Sequence, residues 1–486
     1  MEHRVYLGLG QHRGAPRIWL QGQCLRDAGA LPGVRFRLIP DPANRTLVIE
    51  ITDDGDRRVS SKGPDYPVVD INFSGLTDIL GRVERLKVVF KPGKIVVTVH
   101  PDELATEERL NRLQQELASG VPLTVGSVFH GGGVMEAALH EGFKRAGIET
   151  EMGFAIELNG RFLEASLRNN PVWRSGKGVA ICGSADDVEL GELPKVSILQ
   201  AGIPCDGASL SGRARRRLTS AEGHPDVGHL FVTFLNIVKA TQPAVIVMEN
   251  VAPYQNTASW AAISAVLKIL GYDLHETILD GNEMGALEGR KRLCAVAVTH
   301  GQGFSWDGLC PVRVKEATLG EILDPAAGAW SEMAGLKAKQ ARDQVKYADE
   351  GWGTGFKMQI VDAASSSVPT VCKDYYKVRS TEPKVQHPSD PNLLRQLTPA
   401  EHAAVKGIPF SLVAGEVLTV QHQILGQSVI YPAFVAVGQH VGLCLRGVRQ
   451  NVHRFIEKVE TAVEEIAQVA MVAASRKPVA QQLALF

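Results

Sequence analysis

The sequence predicts an α/β protein in which a β-rich N-terminal domain precedes a doubly wound, largely parallel sheet with a loop-rich insert. Short, β-branched and alternating runs fill roughly the first 120 residues, which is typical of antiparallel strands. From residue 124 the pattern changes to strand, glycine-rich turn and helix, repeated at intervals that admit crossover helices. The chain of 486 residues is also longer than one core usually organises, so we expect several domains.

The boundaries follow from these changes of pattern. The strand-like runs RTLVIEIT and KIVVTVH belong to the N-terminal domain, and a polar helical stretch follows them. The predicted segments are a β-rich accessory domain at 1–104, a helical connector at 105–122, the first part of the doubly wound domain at 123–299, the insert at 300–394, the second part of the doubly wound domain at 395–446, and a C-terminal helix and tail at 447–486.

The composition excludes several classes of protein. With 44% hydrophobic and 22% charged residues and a net charge of −1, any contact with nucleic acid must come from local basic patches. The seven cysteines are widely separated and form no CxxC pair, so neither a metal site nor a disulfide framework is expected. No apolar run has the length of a signal peptide or a membrane span, so we expect a cytoplasmic protein.

A glycine-rich turn opens the doubly wound domain. The glycines at 131–133 end one strand and begin a helix, where the backbone can approach a polar or anionic ligand. Glu157 ends the next apolar strand, at about the distance where an acid meets ribose hydroxyls in such folds. The pair favours a nucleoside-bearing cofactor, although a structural turn and a surface acid remain the alternative.

Two further strand ends carry reactive groups. Cys205 follows the strand KVSILQA, and Glu249 with Asn250 ends the very apolar strand PAVIVM. Ligands bind at this edge of a doubly wound sheet, so Cys205 is a candidate nucleophile and Glu249 a candidate acid. A buried structural cysteine and a helix-capping acid are the alternatives.

The sequence blocks of residues 124 to about 442 resemble those of the DNA cytosine C5-methyltransferases. The order of Pro-Cys, Glu-Asn-Val and Arg-x-Arg is far more specific than any single block. The matching blocks are VFHGGGVMEAALHEGF, AIELN at 155–159, GIPCDGAS at 202–209, MENV at 248–251, EGRKRL at 288–293, RQLTPAEHAAVKGIP at 395–409 and ILGQSV at 424–429. The resemblance implies a Rossmann-like, S-adenosylmethionine-dependent methyltransferase domain with the target-recognition region at 300–394.

The resemblance also implies roles for individual residues. Cys205 would add to C6 of a flipped cytosine, Glu249 would stabilise the adduct, and Arg290 with Arg292 would organise the pocket. Asn250 would support the catalytic loop. The residues expected to bind S-adenosyl-L-methionine are Phe129, Gly131, Gly133, Glu157, Asp186, Pro204 and Ser428. Arginines that follow the cysteine, expected to contact DNA phosphates unless they form a solvated basic turn, are Arg213, Arg215, Arg216 and Arg217.

Four positions depart from the family pattern. Asp206 follows Pro-Cys where glutamine is usual, and its negative charge is unfavourable beside phosphate. Ser184 stands where an adenine-contacting aspartate is common, which makes Asp186 the candidate substitute. Glu288 replaces a usual glutamine, and Gln427 replaces an asparagine. Together these positions suggest a divergent branch that keeps the thiol, the acid and both arginines.

Both ends of the chain carry weaker resemblances. The stretch PRIWLQGQCLRDAGALPGVRFRL resembles the small β domains of SymE-type toxins and AbrB-like proteins, which dimerise or bind nucleic acid; a purely structural domain is the alternative. The final QLALF resembles the peptide with which bacterial proteins bind the DNA polymerase sliding clamp. The tail residues expected to bind the clamp are Gln482, Leu483, Leu485 and Phe486. A mobile apolar tail with no partner is the alternative.

Three functions are therefore weighed. The main prediction is a methyltransferase acting on double-stranded DNA, because the insert and the basic loop suit a duplex substrate. A methyltransferase of the same fold acting on tRNA is the nearest alternative, since the cysteine and the acid serve both reactions. A catalytically silent, DNA-binding regulator is the third, suggested by Asp206 and Ser184.

Overall fold

The computed structural model describes residues 1–204, 222–349, 358–379 and 381–447. The chain divides into two compact units, each with its own hydrophobic core. The first unit comprises Met1–Arg112 and Val266–Asp273, and the second comprises Leu113–Ala265 and the chain from Leu274 onward.

The first unit is built mainly from antiparallel strands, as the alternating runs predict. Strands β1, β9, β10, β5, β4 and β6 form one sheet in that order, and β2, β3, β8 and β7 form another. Alternate side chains such as Ile95 and Val97 of β10 are buried in the core. The elements are β1 (His3–Gly8), β2 (Gly10–His12), β3 (Ala15–Gln21), α1 (Gln23–Asp27), β4 (Arg35–Asp41), β5 (Thr46–Ile51), β6 (Arg57–Arg58), β7 (Ser60–Ser61), β8 (Pro67–Asn72), α2 (Leu76–Leu80), β9 (Arg85–Lys91) and β10 (Lys94–Val99).

A long helix, α3 (Pro101–Ser119), follows the strands where the connector is predicted. It begins at Pro101 and not at residue 105. Proline is favoured in the first turn of a helix, and Asp102 and Glu103 interact favourably with the positive end of the helix dipole. The polar run DELATEERLNRLQQELASG that indicates this helix starts at Asp102, within the first turn of α3.

The second unit contains a seven-stranded sheet in the order β13-β12-β11-β14-β15-β17-β16. From β13 to β15 every neighbouring pair is parallel, and β17 is antiparallel to β15. The predicted doubly wound α/β fold is confirmed. The strands are β11 (Leu123–Val128), β12 (Thr150–Glu157), β13 (Val179–Cys182), β14 (Ile198–Gly202), β15 (Val245–Val251), β16 (Tyr272–Asp280) and β17 (Lys291–Thr299).

Helices connect and cover these strands. The start of α9 is fixed by a capping box, in which Thr398 accepts from the Glu401 amide and Glu401 accepts from the Thr398 amide. The helices are α4 (Val134–Arg145), α5 (Gly160–Asn169), α6 (Leu230–Thr241), α7 (Ala258–Ile269), α8 (Ala334–Asp349), α9 (Pro399–Val405), α10 (Leu418–Gln427) and α11 (Tyr431–Leu445). Among the described residues no single helix has the length and apolar composition to cross a membrane. Helices α10 and α11, which are bent at their junction, are together long and apolar enough, but only length and composition indicate this.

The insert is more ordered than its sequence suggests. Strands β18 (Ile360–Val361), β19 (Lys384–Gln386) and β20 (Leu394–Arg395) form a small sheet, and a separate cluster of buried side chains lies around Tyr375. Helix α8 was not predicted. Its sequence is polar, with lysine, glutamine and arginine between few apolar residues, so it carries little of the periodicity on which such predictions depend.

Helices α4 and α11 approach closely because glycines face each other. A Cβ on Gly438 would lie 2.6 Å from the carbonyl oxygen of Leu139, closer than Cβ atoms come to backbone. We expect Gly438→Ala to lower the free energy of unfolding of this unit by about 1–3 kcal/mol, because the two helices must separate. Urea unfolding followed by circular dichroism measures the change.

Gly335→Ala in α8 is the matched control, since nothing lies within 4 Å of the added methyl group. We expect this substitution to be neutral or slightly stabilising. Equal effects of the two alanines would contradict the close approach of α4 and α11.

Candidate active site

Three strand ends meet around Gly202, the last residue of β14. A Cβ on Gly202 would lie 3.9 Å from Oε2 of Glu249 and 4.0 Å from the carbonyl oxygen of Phe129. This closeness follows from the sheet, because β14 pairs in parallel with β11 on one side and with β15 on the other. The fold thus brings together the glycine-rich turn, the turn that leads into Cys205, and the candidate acid.

The glycine-rich turn between β11 and α4 has a backbone shape that suits few other residues. Gly131 and Gly133 have φ of 58° and 72°, and Phe129 has a φ of 60°, which is uncommon for a bulky residue. A Cβ on Gly133 would lie 2.6 Å from Nδ2 of Asn170 and 2.7 Å from Nε2 of His130. The turn therefore has no room for a side chain at Gly133.

Glu157 fastens this turn to the end of β12. Its Oε2 accepts a hydrogen bond of 2.6 Å from the amide of Gly131, and its Oε1 accepts one of 2.8 Å from the amide of Asn159. The carboxylate is half-buried. A carboxylate oxygen has more than one lone pair, so both oxygens keep acceptor capacity for a ligand.

A buried polar network supports the turn from below. Ser127 donates to Oε1 of Glu136 at 2.6 Å, and the two ring nitrogens of His130 lie 3.0 Å from Oγ of Ser127 and 2.8 Å from Oγ of Ser166. All four side chains are buried. This network is not among the features predicted from the sequence. The sequence nevertheless contains a signal for it, because Ser127 and Glu136 interrupt apolar runs at positions that face the core.

The cysteine-bearing turn is described only as far as Pro204, which is half-buried. Just before it, Nδ2 of the buried Asn250 donates to the carbonyl oxygen of Ile203 at 3.1 Å, so Asn250 fixes the chain that enters the turn. Cys205, Asp206, Arg213, Arg215, Arg216, Arg217 and the tail residues Gln482, Leu483, Leu485 and Phe486 lie outside the described residues.

Glu249 is paired with the second arginine of the Arg-x-Arg block. Nε of Arg292 lies 2.9 Å from Oε1 of Glu249, and both side chains are about 15% exposed. The antiparallel entry of β17 makes this possible, since Arg292 lies opposite Val251 at the end of β15. A narrow cleft adjoins the pair. Its lining residues are Ile203, Met248, Glu249, Asn250, Tyr254, Trp260 and Leu293.

Arg290 has different partners from Arg292. Its Nη1 donates to the carbonyl oxygen of Gly426 at 3.2 Å and lies 3.3 Å from Oε1 of Glu288. The other oxygen of Glu288 lies 2.9 Å from Nζ of Lys406. Burial, together with the charge of Arg290, lowers the pKa of Lys406 to about 7.

The last block faces the glycine-rich turn through Gln427. A Cβ on Gly131 would lie 3.0 Å from Nε2 of Gln427. The hydroxyl of Ser428 instead donates to the carbonyl oxygen of Ile424 at 2.5 Å, within its own helix. Of these two neighbouring residues, Gln427 is therefore the one whose side chain reaches the turn. Ser428 is the one predicted from the sequence to bind the cofactor.

Asp186 is engaged by the start of α6. Its carboxylate accepts from the hydroxyl of Thr233 and lies 2.8 Å from Nε2 of His229. The bonds from Thr233 and then His229 hold the pKa of this carboxyl below its usual range. Ser184, the departure from the family pattern, caps the short turn at Ala185–Asp187 by accepting from the Asp186 amide.

Comparison with known proteins identifies the family. The sequence model of the C-5 cytosine-specific DNA methylases matches residues 124–442. The chain belongs to this family. Among curated relatives, the type II methyltransferase M.MspI of Moraxella sp is 25% identical over 280 residues, which is 56% of this chain and 62% of the relative. M.NlaX of Neisseria lactamica is 24% identical over 313 residues, 63% of this chain and 93% of that protein.

The fold of this methylase-family chain is also found in solved structures. The Dnmt2 methyltransferase of S. pombe superimposes with a TM-score of 0.53 at 19% identity, over 67% of this chain and 99% of that one. The resemblance to the C5-methyltransferases stated from the motifs is thereby confirmed for residues 124–442. The chain spans less than two thirds of M.MspI. The likeness of the N-terminal domain to SymE-type and AbrB-like proteins stays a prediction.

The lowered pKa of Lys406 makes stability depend on pH. Between pH 7 and 9 the unfolded chain keeps this lysine protonated while the folded protein does not, so the unfolded state binds more protons and stability rises with pH. We expect Lys406 to contribute a rise of about 2 kcal/mol in the free energy of unfolding across that range. Urea titrations at pH 7, 8 and 9 measure it.

Lys406→Met removes this contribution, so the difference between wild type and variant must grow with pH. Lys144→Met, at an exposed lysine of the same unit, is the control and is expected to follow wild type. Parallel curves for wild type and Lys406→Met would show that Lys406 titrates normally.

Proposed function

We propose that this protein is a DNA cytosine-5 methyltransferase that uses S-adenosyl-L-methionine. The observation that carries the proposal is the meeting of three strand ends at Gly202, next to the carboxylate of Glu249 and the backbone of Phe129. The turn that leads into Cys205 starts at the same point, held by Asn250. Membership of the C-5 cytosine-specific DNA methylase family supports this assignment.

The chemistry requires both a thiol and an acid. C5 of cytosine is a poor nucleophile, so the thiolate of Cys205 first adds to C6, and the electron pair of the C5–C6 double bond moves to C5. Glu249, oriented by its ion pair with Arg292, binds the exocyclic amine and donates a proton to N3, which neutralises the negative charge of the adduct. After C5 has gained the methyl group it loses its proton to a base, the double bond re-forms, and the thiolate of Cys205 leaves.

The glycine-rich turn fits the proposed cofactor. Its positive φ angles and the absence of room at Gly133 create a close backbone surface at the start of α4. S-adenosyl-L-methionine supplies an electrophilic methyl group when bound. We propose that Phe129 packs on its adenine, Gly131 and Gly133 line the site, and Glu157 binds the ribose.

The other cofactor residues act as walls of the site in this proposal. Pro204 lies in the cysteine turn, two residues after Gly202, whose added Cβ would lie 4.0 Å from the carbonyl oxygen of Phe129. The side-chain oxygens of Asp186 and Ser428 are already bonded within the chain, so we assign these residues to the walls and not to specific bonds with the cofactor.

The target cytosine must leave the base stack before C6 can meet the thiol. We propose double-stranded DNA as the substrate, with the arginines at 213, 215, 216 and 217 binding its phosphates and residues 300–394 reading its bases. The relatives M.MspI and M.NlaX are named type II methyltransferases, which supports DNA over tRNA. The tRNA methyltransferase and the silent regulator are distinguished by the experiment below.

We expect Cys205→Ala to abolish methylation, because no other group then adds to C6. Bisulfite sequencing of DNA from cells that express wild type or variant detects the product, and methyl incorporation into purified DNA and tRNA compares the substrates. Cys310→Ala, at an exposed cysteine in the insert, is the control and should methylate as wild type does.

Full methylation by Cys205→Ala would overturn the catalytic assignment. Incorporation into tRNA but not DNA would favour the tRNA enzyme. If wild type binds S-adenosylmethionine and DNA but transfers no methyl group, the chain is a regulator.

We also propose that QLALF at 482–486 binds the sliding clamp, in which glutamine, leucine and phenylalanine would fill one pocket. Deletion of residues 482–486 is expected to abolish co-elution with the clamp, because these side chains supply the whole contact. Gln481→Ala, next to the motif, is the control and should co-elute. Unchanged co-elution of the deletion variant would refute the proposal.

A further inference from the structure

Three charged side chains lie buried together behind the start of β17. Glu288 and Lys406 are fully buried, and Arg290 is 5% exposed. They come from separate sequence blocks, since Glu288 and Arg290 precede β17 and Lys406 follows α9. Buried charges persist only when they are paired, so the geometry of this cluster must be specific.

The carboxylate of Glu288 lies between Lys406 and Arg290. Oε2 lies 2.9 Å from Nζ of Lys406, whereas Oε1 lies 3.3 Å from Nη1 of Arg290 and accepts from the amide of Val371 at 3.2 Å. The backbone is fixed as well, because the amide of Glu288 donates to the carbonyl oxygen of Val405. The carboxylate cannot move without breaking one of these contacts.

Arginine and carboxylate usually form a bidentate pair with two parallel N–H···O bonds. Here the contact between Arg290 and Glu288 is long and uses one nitrogen only. In the part of the chain that the structure describes, Nε of Arg290 is buried and has no hydrogen-bond partner. A buried unpaired donor is costly, so a further acceptor for Nε would stabilise this guanidinium.

We propose that Lys406 is a positioning residue for Arg290: by holding one oxygen of Glu288, it prevents a bidentate Glu288–Arg290 pair and leaves the guanidinium available to the target nucleotide. The inference rests on the proposed function. It assigns a role to Glu288, which stands where the family usually has glutamine. A neutral amide in that place would not form an ion pair with Arg290, whereas a carboxylate does so unless a second side chain contacts and restrains it.

The test is a pair of variants that separates positioning from folding. In Lys406→Met the carboxylate of Glu288 is released and forms a bidentate pair with Arg290. We therefore expect the rate of single-turnover methyl transfer to fall by about 10- to 100-fold. The Kd for S-adenosylmethionine should stay unchanged, since the glycine-rich turn is not involved. Adding Glu288→Gln to Lys406→Met removes the competing carboxylate and should restore most of the rate.

The control is another buried ion pair of the same unit. Glu401→Gln weakens the contact between Arg395 and Glu401, in which Nη1 lies 2.7 Å from Oε2, without touching Arg290. It is expected to lower stability and leave the transfer rate unchanged. Circular dichroism and urea unfolding check every variant, and Lys406→Gln replaces Lys406→Met, with the same expectation, if the methionine variant does not fold.

The outcomes are distinct. A wild-type rate in Lys406→Met, or a double variant no faster than Lys406→Met, overturns the positioning role while the proposed function stands. Loss of rate in Glu401→Gln equal to that in Lys406→Met also overturns it, because any buried ion pair would then matter. A wild-type protein that transfers no methyl group to DNA overturns the proposed function and this inference with it.

Discussion

The position of β14 between β11 and β15 is the constraint on which the site depends. Parallel pairing on both sides places the ends of the three strands at one edge. A Cβ added at Gly202 would lie in ordinary van der Waals contact with the carboxylate of Glu249 and the carbonyl oxygen of Phe129, which shows how near these groups are to one another. The antiparallel strand β17 then adds Arg292 to the same edge, because it starts where β15 ends.

Each charged group at this edge is held by at least one specific partner. Glu249 is oriented by Arg292, and Glu157 by the amides of Gly131 and Asn159. A carboxylate fixed in this way does not have to reorganise when a ligand that donates hydrogen bonds to it arrives. The same fixation has a cost, since removing one partner of a buried ion pair leaves the other uncompensated, typically at about 3–5 kcal/mol.

The sequence was most informative about residues at strand ends and least informative about contacts between distant blocks. Glu249 and the glycine-rich turn could be placed because an apolar run that stops at a polar residue marks the edge of a parallel sheet. The different partners of Arg290 and Arg292 could not be predicted from the sequence. The two arginines are only two residues apart, but they contact side chains of separate elements. Polar residues beneath the turn, such as His130, were missed because each is a single interruption of an apolar run whose partners lie far along the chain.

The departures from the family pattern that the structure describes lie at contacts between blocks, and each has a physical counterpart there. Gln427 is longer than asparagine by one methylene group, and it reaches a turn where Gly131 offers no side chain to oppose it. Glu288 adds a negative charge to a buried site, where Arg290 balances it and Lys406 contacts its second oxygen. Near Ser184, the carboxylate of Asp186 is bonded to Thr233 and His229. The hydroxyl of Ser184 caps the short turn by accepting a hydrogen bond from the Asp186 amide. Because these side chains are accommodated locally, the pairing of Glu249 with Arg292 at the edge of the sheet is intact.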